Sequence, residues 1–368
     1  MTAQHASPGS RPSPPSRRRV AVLGATGAVG QAFVRLLANH PWFELAEVAA
    51  SERSAGKSYA EATRWIGGDA IPPGVARMTV LPCDPARIAS DIVFSALDSS
   101  TAGDAEPAFA RAGKTVLTNA KNHRMDVDVP LVIAEVNPSH LNIIAGQRLA
   151  RSWSGAIVAN GNCAAIVASL PLAPIHERFG ITKVIAVTMQ AVSGAGYPGV
   201  PTLDILGNVI PFIQDEEPKI EVEIQKFLGA VDGGAIRSAD FVVSAHANRV
   251  PVEHGHTICM SIALQSPAGA AEVERAIADW RGAEEARGLP SAPGRPVLLA
   301  SHPDQPQPRR QVDTGNGMTV VVGRVRRDPI FDVKLVAMGH NVIRGAAGAS
   351  ILNAELMVHR GILGDPSR

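Results

Sequence analysis

The sequence predicts an α/β chain in two parts, a doubly wound parallel sheet followed by an α+β second domain. Three observations carry this. A strand, a glycine-rich turn and a helical stretch run in that order from Val20. Short apolar strands then alternate with helical stretches to about residue 150, as crossover connections in a parallel sheet require. Beyond Cys163 the strands lengthen and the helices between them thin out, which points to a mixed or antiparallel sheet.

The 368 residues suffice for two domains. Apolar residues make up 45%, charged residues 19%, and the net charge is +1. No strong field draws such a chain to nucleic acid or to a membrane. No apolar run has the length of a bilayer span. Three cysteines build no disulfide framework and fit a reducing, cytoplasmic compartment. No Cys/His cluster has metal-ligand spacing, so no metal is expected. Residues 1–16 are rich in Pro and Ser, lack Asp and Glu, and lead into Arg17-Arg18-Arg19. They lack the amphipathic periodicity of a transit peptide, so residues 1–18 read as a disordered tail.

Val20–Leu23 is the first strand, and Gly24-Ala25-Thr26-Gly27-Ala28-Val29-Gly30 is the turn. The helix expected over Gln31–Asn39 carries Phe33, Leu36 and Leu37 at helical spacing. Glycines there let backbone N–H groups approach a pyrophosphate at a helix N-terminus. The spacing is G-x-x-G-x-x-G, so the flanking strand and helix give it its meaning. The second strand, Leu45–Ala50, ends in Ser51-Glu52-Arg53-Ser54. Arg53 between two serines suits the 2′-phosphate of NADP. Glu52 suits a free ribose hydroxyl, and Arg53 also reads as a solvated loop residue. Strands at Asp91–Leu97 and Thr115–Asn119 complete the alternation. Residues 19–158 thus read as a Rossmann-like dinucleotide-binding domain.

Asn160-Gly161-Asn162-Cys163-Ala164 puts a cysteine where a loop becomes a helix, expected to end before Pro171. The positive end of a helix favours thiolate, and a thiolate is a nucleophile. A buried structural cysteine fits the same residues, and Cys83 and Cys259 read as core. Lys183–Val192 is a strand leading into Ser193 and Gly194. Residues 215–227 form a charged helix with Ile220, Ile224 and Phe227 on one face. Phe241–Ala245, Thr257–Leu264, Met318–Val325 and Phe331–Gly339 are strand-like. These fill a second domain over residues 159–344, and a helix at Ala349–Val358 closes residues 345–368.

Several stretches together resemble the aspartate-semialdehyde dehydrogenase family, in its archaeal and fungal branch. They are GATGAVGQ from Gly24, SERSAGK from Ser51, NAKNHR from Asn119, VPLVIAEVNPSHL from Val129 and GNC at 161–163. QAVSGAG from Gln190, NRVPVEHGHT from Asn248, GRVRRDP from Gly323 and HNVIRGAAG from His340 continue the series. The resemblance implies NADP-dependent reductive dephosphorylation of β-aspartyl phosphate to aspartate β-semialdehyde. It implies Cys163 as acyl-accepting nucleophile, His256 as acid/base, and Asn162 and Gln190 near the reacting centre. Arg249 would take the substrate carboxylate, Glu216 its ammonium, and Arg124 and Lys219 its phosphate. Without the resemblance, Glu216 and Lys219 read as a solvated i,i+3 pair. Gly24, Thr26, Gly27, Ala28, Val29, Gly30, Ser51, Arg53, Ser54, Ser193, Gly194 and Asn341 would hold NADP. The family further implies a homodimer or homotetramer built through the second domain, with the final helix returning to the first.

Three positions depart from the family pattern. Ala164 stands where Ser or Thr commonly follows the cysteine, Ile258 follows Thr257 where Glu is common, and Pro218 lies between Glu216 and Lys219. They leave room for a malonyl-coenzyme A reductase, which would have no use for Glu216, and for an N-acetyl-glutamyl-phosphate reductase. A reading from another class is a nucleotide-sensing protein without catalysis.

Overall fold

The computed structural model describes residues 17–68 and 70–363. Residues 1–16 of the expected tail lie outside them, and Arg18 opens the first strand. The first sheet takes β1 (Arg18–Leu23), β2 (Phe43–Ala50), β3 (Leu81–Pro82), β4 (Ile92–Ser95), β5 (Thr115–Thr118) and β6 (Ala156–Ala159). Their order is β3-β2-β1-β4-β5-β6, and every pairing is parallel. β4 and β6 are buried at every residue, as strands covered on both faces must be. The order reverses between β1 and β4, so a crevice opens beyond their C-terminal ends, where open α/β sheets bind ligands. Helix α1 (Ala28–Leu37) starts at that crevice, three residues before the expected boundary.

The second sheet takes β7 (Ile181–Gln190), β10 (Val242–Arg249), β11 (His256–Leu264), β12 (Val297–Leu299), β13 (Val320–Arg327) and β14 (Val333–Gly339). A hairpin of β8 (Ala230–Asp232) and β9 (Ala235–Arg237) stands apart. The order is β10-β7-β11-β14-β13-β12, with β10–β7 and β12–β13 parallel and the rest antiparallel. Buried and open residues alternate along β10, so one face carries the core and the other looks outward. Cys259 lies on the outward face and is exposed, against the expectation of a core residue.

The inner face packs on α2 (Cys163–Phe179), which does not end before Pro171. It runs on through Pro171 and Pro174. Proline inside a helix costs about 3 kcal/mol through a lost hydrogen bond and a ring clash. Every residue from Ala164 to Ile175 is buried here. Leu170, Leu172 and Ile175 alone offset that cost at about 1.5–3 kcal/mol each. Tertiary burial overrides the local stop signal.

Helix α3 (Glu216–Phe227) crosses between α2 and β10. The chain ends in a π-helical turn, Ile343–Ala347, and helix α4 (Gly348–His359), which packs on β5. Asn353 donates to Val132 O at 3.0 Å, and Glu355 meets His40 at 2.7 Å. Arg344 pairs with Glu135 at 2.6 Å, both fully buried. Removing one member of such a pair strands a charge. Glu135→Ala is expected to lower stability by about 3–5 kcal/mol in urea denaturation, and Glu135→Gln by less.

Candidate active site

Asn162 organises the start of α2. Its side-chain oxygen accepts the N–H groups of Ala164 and Ala165 at 2.9 and 3.0 Å, capping the helix. Its amide nitrogen donates to Glu216 at 2.8 Å, and its backbone N–H donates to Glu223. Glu216 and Glu223 are seven apart on α3, two turns along one face. Asn162 therefore sits between two carboxylates of one helix. Its side-chain oxygen is held at the helix end and its amide at Glu216, which fixes the start of α2. Gly161 is required, since a Cβ there would stand 2.2 Å from the Phe227 ring.

Cys163 is the first residue of α2, and its Sγ lies 3.1 Å from His256 Nε2. His256 opens β11 and is fully buried. The fold closes the 93-residue gap between them. The other ring nitrogen, Nδ1, accepts the backbone N–H of Ala191 at 3.1 Å. From behind, Gly345 packs against the cysteine; a Cβ there would fall 2.5 Å from Cys163 Cβ.

Burial pushes the Cys163 thiol up to about 12, with the Glu216 carboxylate adding to the rise. Burial also pushes the His256 imidazole down to about 3. The sequence expectation of a thiolate favoured by the helix end is corrected on this point. Arg124, Arg249 and the Ala164 N–H do act in the expected direction, but Asn162 absorbs two of the helix-end donors and desolvation outweighs the rest. Desolvation of the pair thus favours a thiol beside a neutral imidazole.

The other sequence-predicted residues gather around it. Gln190 donates to the same Glu216 oxygen as Asn162, at 3.0 Å, and Lys219 pairs with the second oxygen at 2.7 Å. Burial raises the Glu216 carboxyl, but Lys219, Asn162 and Gln190 more than offset it and hold it below its usual range. Arg249 Nη1 donates to Ala191 O at 2.7 Å. A Cβ on Gly194 would meet that Nη1 at 2.8 Å and the His256 ring at 3.0 Å. Arg124 reaches Glu223 at 2.9 Å and Asn119 O at 2.7 Å, while its Nε is buried without a partner.

The nucleotide candidates line the crevice. Gly24 has φ +68°, and a Cβ there would stand 2.4 Å from Ala96 O. A Cβ on Gly30 would come within 2.1 Å of Gly24 O. Gly24 lets the turn pass close to the chain leaving β4, and Gly30 lets helix α1 close onto the turn after β1. Gly27 caps α1 with no side chain over the helix end and is exposed. Thr26, Ala28 and Val29 flank it, half-buried. An uncapped helix end with an open glycine fits a pyrophosphate. Ser51, Arg53 and Ser54 form a turn at the end of β2, beside β1, with Ser51 and Arg53 exposed. Across the crevice Asn341 donates to Ser193 Oγ at 2.8 Å and accepts the Gly255 N–H at 2.9 Å. A cavity of about 420 Å³ there touches Ala28, Gln31, Ser193, His254 and His340. Among the described residues no group of three or more His, Cys, Asp or Glu could hold a metal.

Sequence reasoning missed Glu223, Ala191 and Gly345. Glu223 had a signal, seven residues after Glu216 on a helix already assigned. Ala191 acts through its backbone and had none.

Two family models match the chain. One, described as semialdehyde dehydrogenase, NAD binding domain, spans residues 19–144, and one, semialdehyde dehydrogenase, dimerisation domain, spans 172–344. The chain is 48% identical over 347 residues to aspartate-semialdehyde dehydrogenase of Archaeoglobus fulgidus, covering 94% of this chain and 100% of that one. It is 45% identical to the enzyme of Schizosaccharomyces pombe, covering 94% and 99%. The crystal structure of aspartate semialdehyde dehydrogenase with NADP from Candida albicans superposes with a TM-score of 0.87 at 40% identity, over 95% of this chain and 100% of that one. Motif order, fold and identity along nearly the whole length thus agree, and the chain belongs to the aspartate-semialdehyde dehydrogenase family.

Proposed function

We infer that the chain catalyses NADP-dependent reductive dephosphorylation of β-aspartyl phosphate to aspartate β-semialdehyde, a step of amino-acid biosynthesis. The 3.1 Å contact between Cys163 and His256 carries this reading. Cys163 is the nucleophile. Its sulfur attacks the acyl carbon, phosphate leaves, and a thioester remains on the enzyme. NADPH, when bound, supplies the hydride that reduces the thioester. Collapse releases the aldehyde and frees the sulfur. His256 is the acid/base partner at the sulfur and the substrate oxygen.

Arg249 binds the substrate carboxylate through its planar fork. Glu216, kept ionised by its neighbours, takes the ammonium. Lys219 and Arg124 face the phosphate, and Gln190 and Asn162 hold Glu216 in place. A malonyl-coenzyme A substrate has no ammonium to set against Glu216. Ala164 in place of a hydroxyl residue has a local reason, since Asn162 already serves the N–H groups of Ala164 and Ala165 and both residues are fully buried. Gly24–Gly30 would hold the pyrophosphate of NADP, Ser51, Arg53 and Ser54 its 2′-phosphate, and Ser193, Gly194 and Asn341 its nicotinamide end.

The same reading makes the chain a homodimer or homotetramer. The match to a dimerisation domain and the exposed Ile185 and Val242 on the second sheet support it. It also places the protein in the cytoplasm, in keeping with three free cysteines. No described helix is long and apolar enough to cross a membrane.

Three outcomes are expected. Aspartate semialdehyde with phosphate and NADP should give NADPH in a spectrophotometric assay, and Cys163→Ser should abolish it. Activity with malonyl-coenzyme A alone would refute the substrate assignment. Arg53→Ala should weaken NADPH binding about tenfold or more, with NADH unaffected, as loss of a charge-assisted bond implies. Iodoacetamide labelling of ligand-free Cys163, mapped by mass spectrometry, should be slow at pH 7 and rise about tenfold per pH unit up to pH 10, because the thiolate fraction does so below an elevated pKa.

A further inference from the structure

We propose that His254 is a positioning residue for the cofactor, one that accepts the hydroxyl hydrogen of Ser193 and so leaves that oxygen an acceptor for the carboxamide N–H of nicotinamide. The proposal rests on the NADP use inferred above and adds a residue to it. It starts from a closed ring of hydrogen bonds. His254 Nδ1 lies 2.9 Å from Ser193 Oγ. Asn341 Nδ2 lies 2.8 Å from the same oxygen, and Asn341 Oδ1 lies 2.9 Å from the N–H of Gly255, the next residue after His254. A backbone N–H can only donate, so the amide atom that faces Gly255 is the oxygen. The amide nitrogen therefore faces Ser193 and donates to it. The backbone holds the members together. Val192 N–H donates to Val252 O at 2.8 Å, and Ser193 N–H donates to Glu253 O at 3.2 Å.

The remaining choice is the direction of the Ser193 proton. A serine hydroxyl has one proton and two lone pairs. Asn341 takes one lone pair. With Nδ1 of His254 as acceptor, the proton is spent and one lone pair remains. With Nδ1–H as donor, both lone pairs are filled and Ser193 presents its proton instead. The surroundings of His254 decide between them. Its Nε2 faces the Glu253 carboxylate at 3.8 Å. A carboxylate on that side draws the ring proton to Nε2 and leaves Nδ1 the acceptor.

The ring is also held in plane. It stacks on His340 with centroids 4.9 Å apart and 29° between the planes. His340 is itself fixed, since its Nδ1 accepts the N–H groups of Val342 and Ile343 at 3.2 and 3.3 Å. Burial pushes the His340 imidazole down to about 3, with His254 and Arg35 adding to the fall. His254 thus rests on an uncharged ring. Ser193 is half-buried and lines the crevice cavity of about 420 Å³. Its remaining lone pair calls for a ligand donor. The carboxamide of nicotinamide carries two N–H donors beside its carbonyl, so an amide is read in preference to a bare ketone.

Binding of two reduced nucleotides to the full-length enzyme, measured by isothermal titration calorimetry, tests this. One is NADPH. The other is its 3-acetylpyridine analogue, in which a methyl ketone keeps the carbonyl and lacks both N–H groups. The native enzyme should bind NADPH about tenfold more tightly, the scale of one hydrogen bond. Ser193→Ala should bring that ratio to within about twofold of one, the usual error of such a cycle. His254→Ala lets the hydroxyl turn either way and should lower the ratio to about threefold or less, the lower end of the same scale. A merely structural role for His254 would weaken both nucleotides alike and keep the tenfold ratio, which would overturn the proposal. A native enzyme that binds both nucleotides equally would overturn it without any variant and leave the cofactor assignment standing. A native enzyme that binds neither would refute the cofactor assignment and the role of His254 together.

Discussion

The hold of helix α3 on Asn162 is the interaction on which the site depends. Two carboxylates, Glu216 and Glu223, reach the same residue, one through its side chain and one through its backbone. Asn162 passes that constraint to the start of α2 and so to the sulfur. The grip also extends outward. Glu223 ties in Arg124, and Glu216 ties in Gln190 and Lys219. A single helix face thereby sets Cys163 and the side chains around it. Lys226, on the next turn, donates to the carbonyls of Arg124, Asp126 and Val129 and anchors that face to the first domain.

Reactivity in this site is arranged rather than stored. A helix end, two arginines and a histidine all stand near the sulfur, yet burial keeps it protonated in the resting protein. Desolvation scales with how completely the group leaves water, while the helix end offers only partial charge.

Much of the fold was legible in the residues. The first sheet declared itself through short apolar strands and a glycine turn between β1 and α1. Cys163, Arg249 and His256 lie in motifs quoted in order along the chain, whereas Glu216 was placed by helical spacing and the family resemblance. Two features were hidden for physical reasons. Pro171 and Pro174 read as helix stops because local propensity cannot see the burial around α2. The thiol's protonation was misread because dipole arguments use sequence neighbours, whereas desolvation comes from residues far away in the chain. Ala191 could not be found at all, since a backbone N–H carries no side-chain signature.

The packing of Gly345 against Cys163 has a consequence for how the protein is made. The nucleophile leaves the ribosome long before the residue that closes over its back. At about 5–20 residues per second, the interval is roughly ten to forty seconds. For that time the first sheet can be complete while the sulfur lacks its final wall, along with the Ala346 carbonyl that accepts from Asn160. Completion of the catalytic chamber therefore waits on residues far downstream of the cysteine. A chain halted between His256 and Gly345 holds the cysteine and the histidine without the glycine that backs the cysteine.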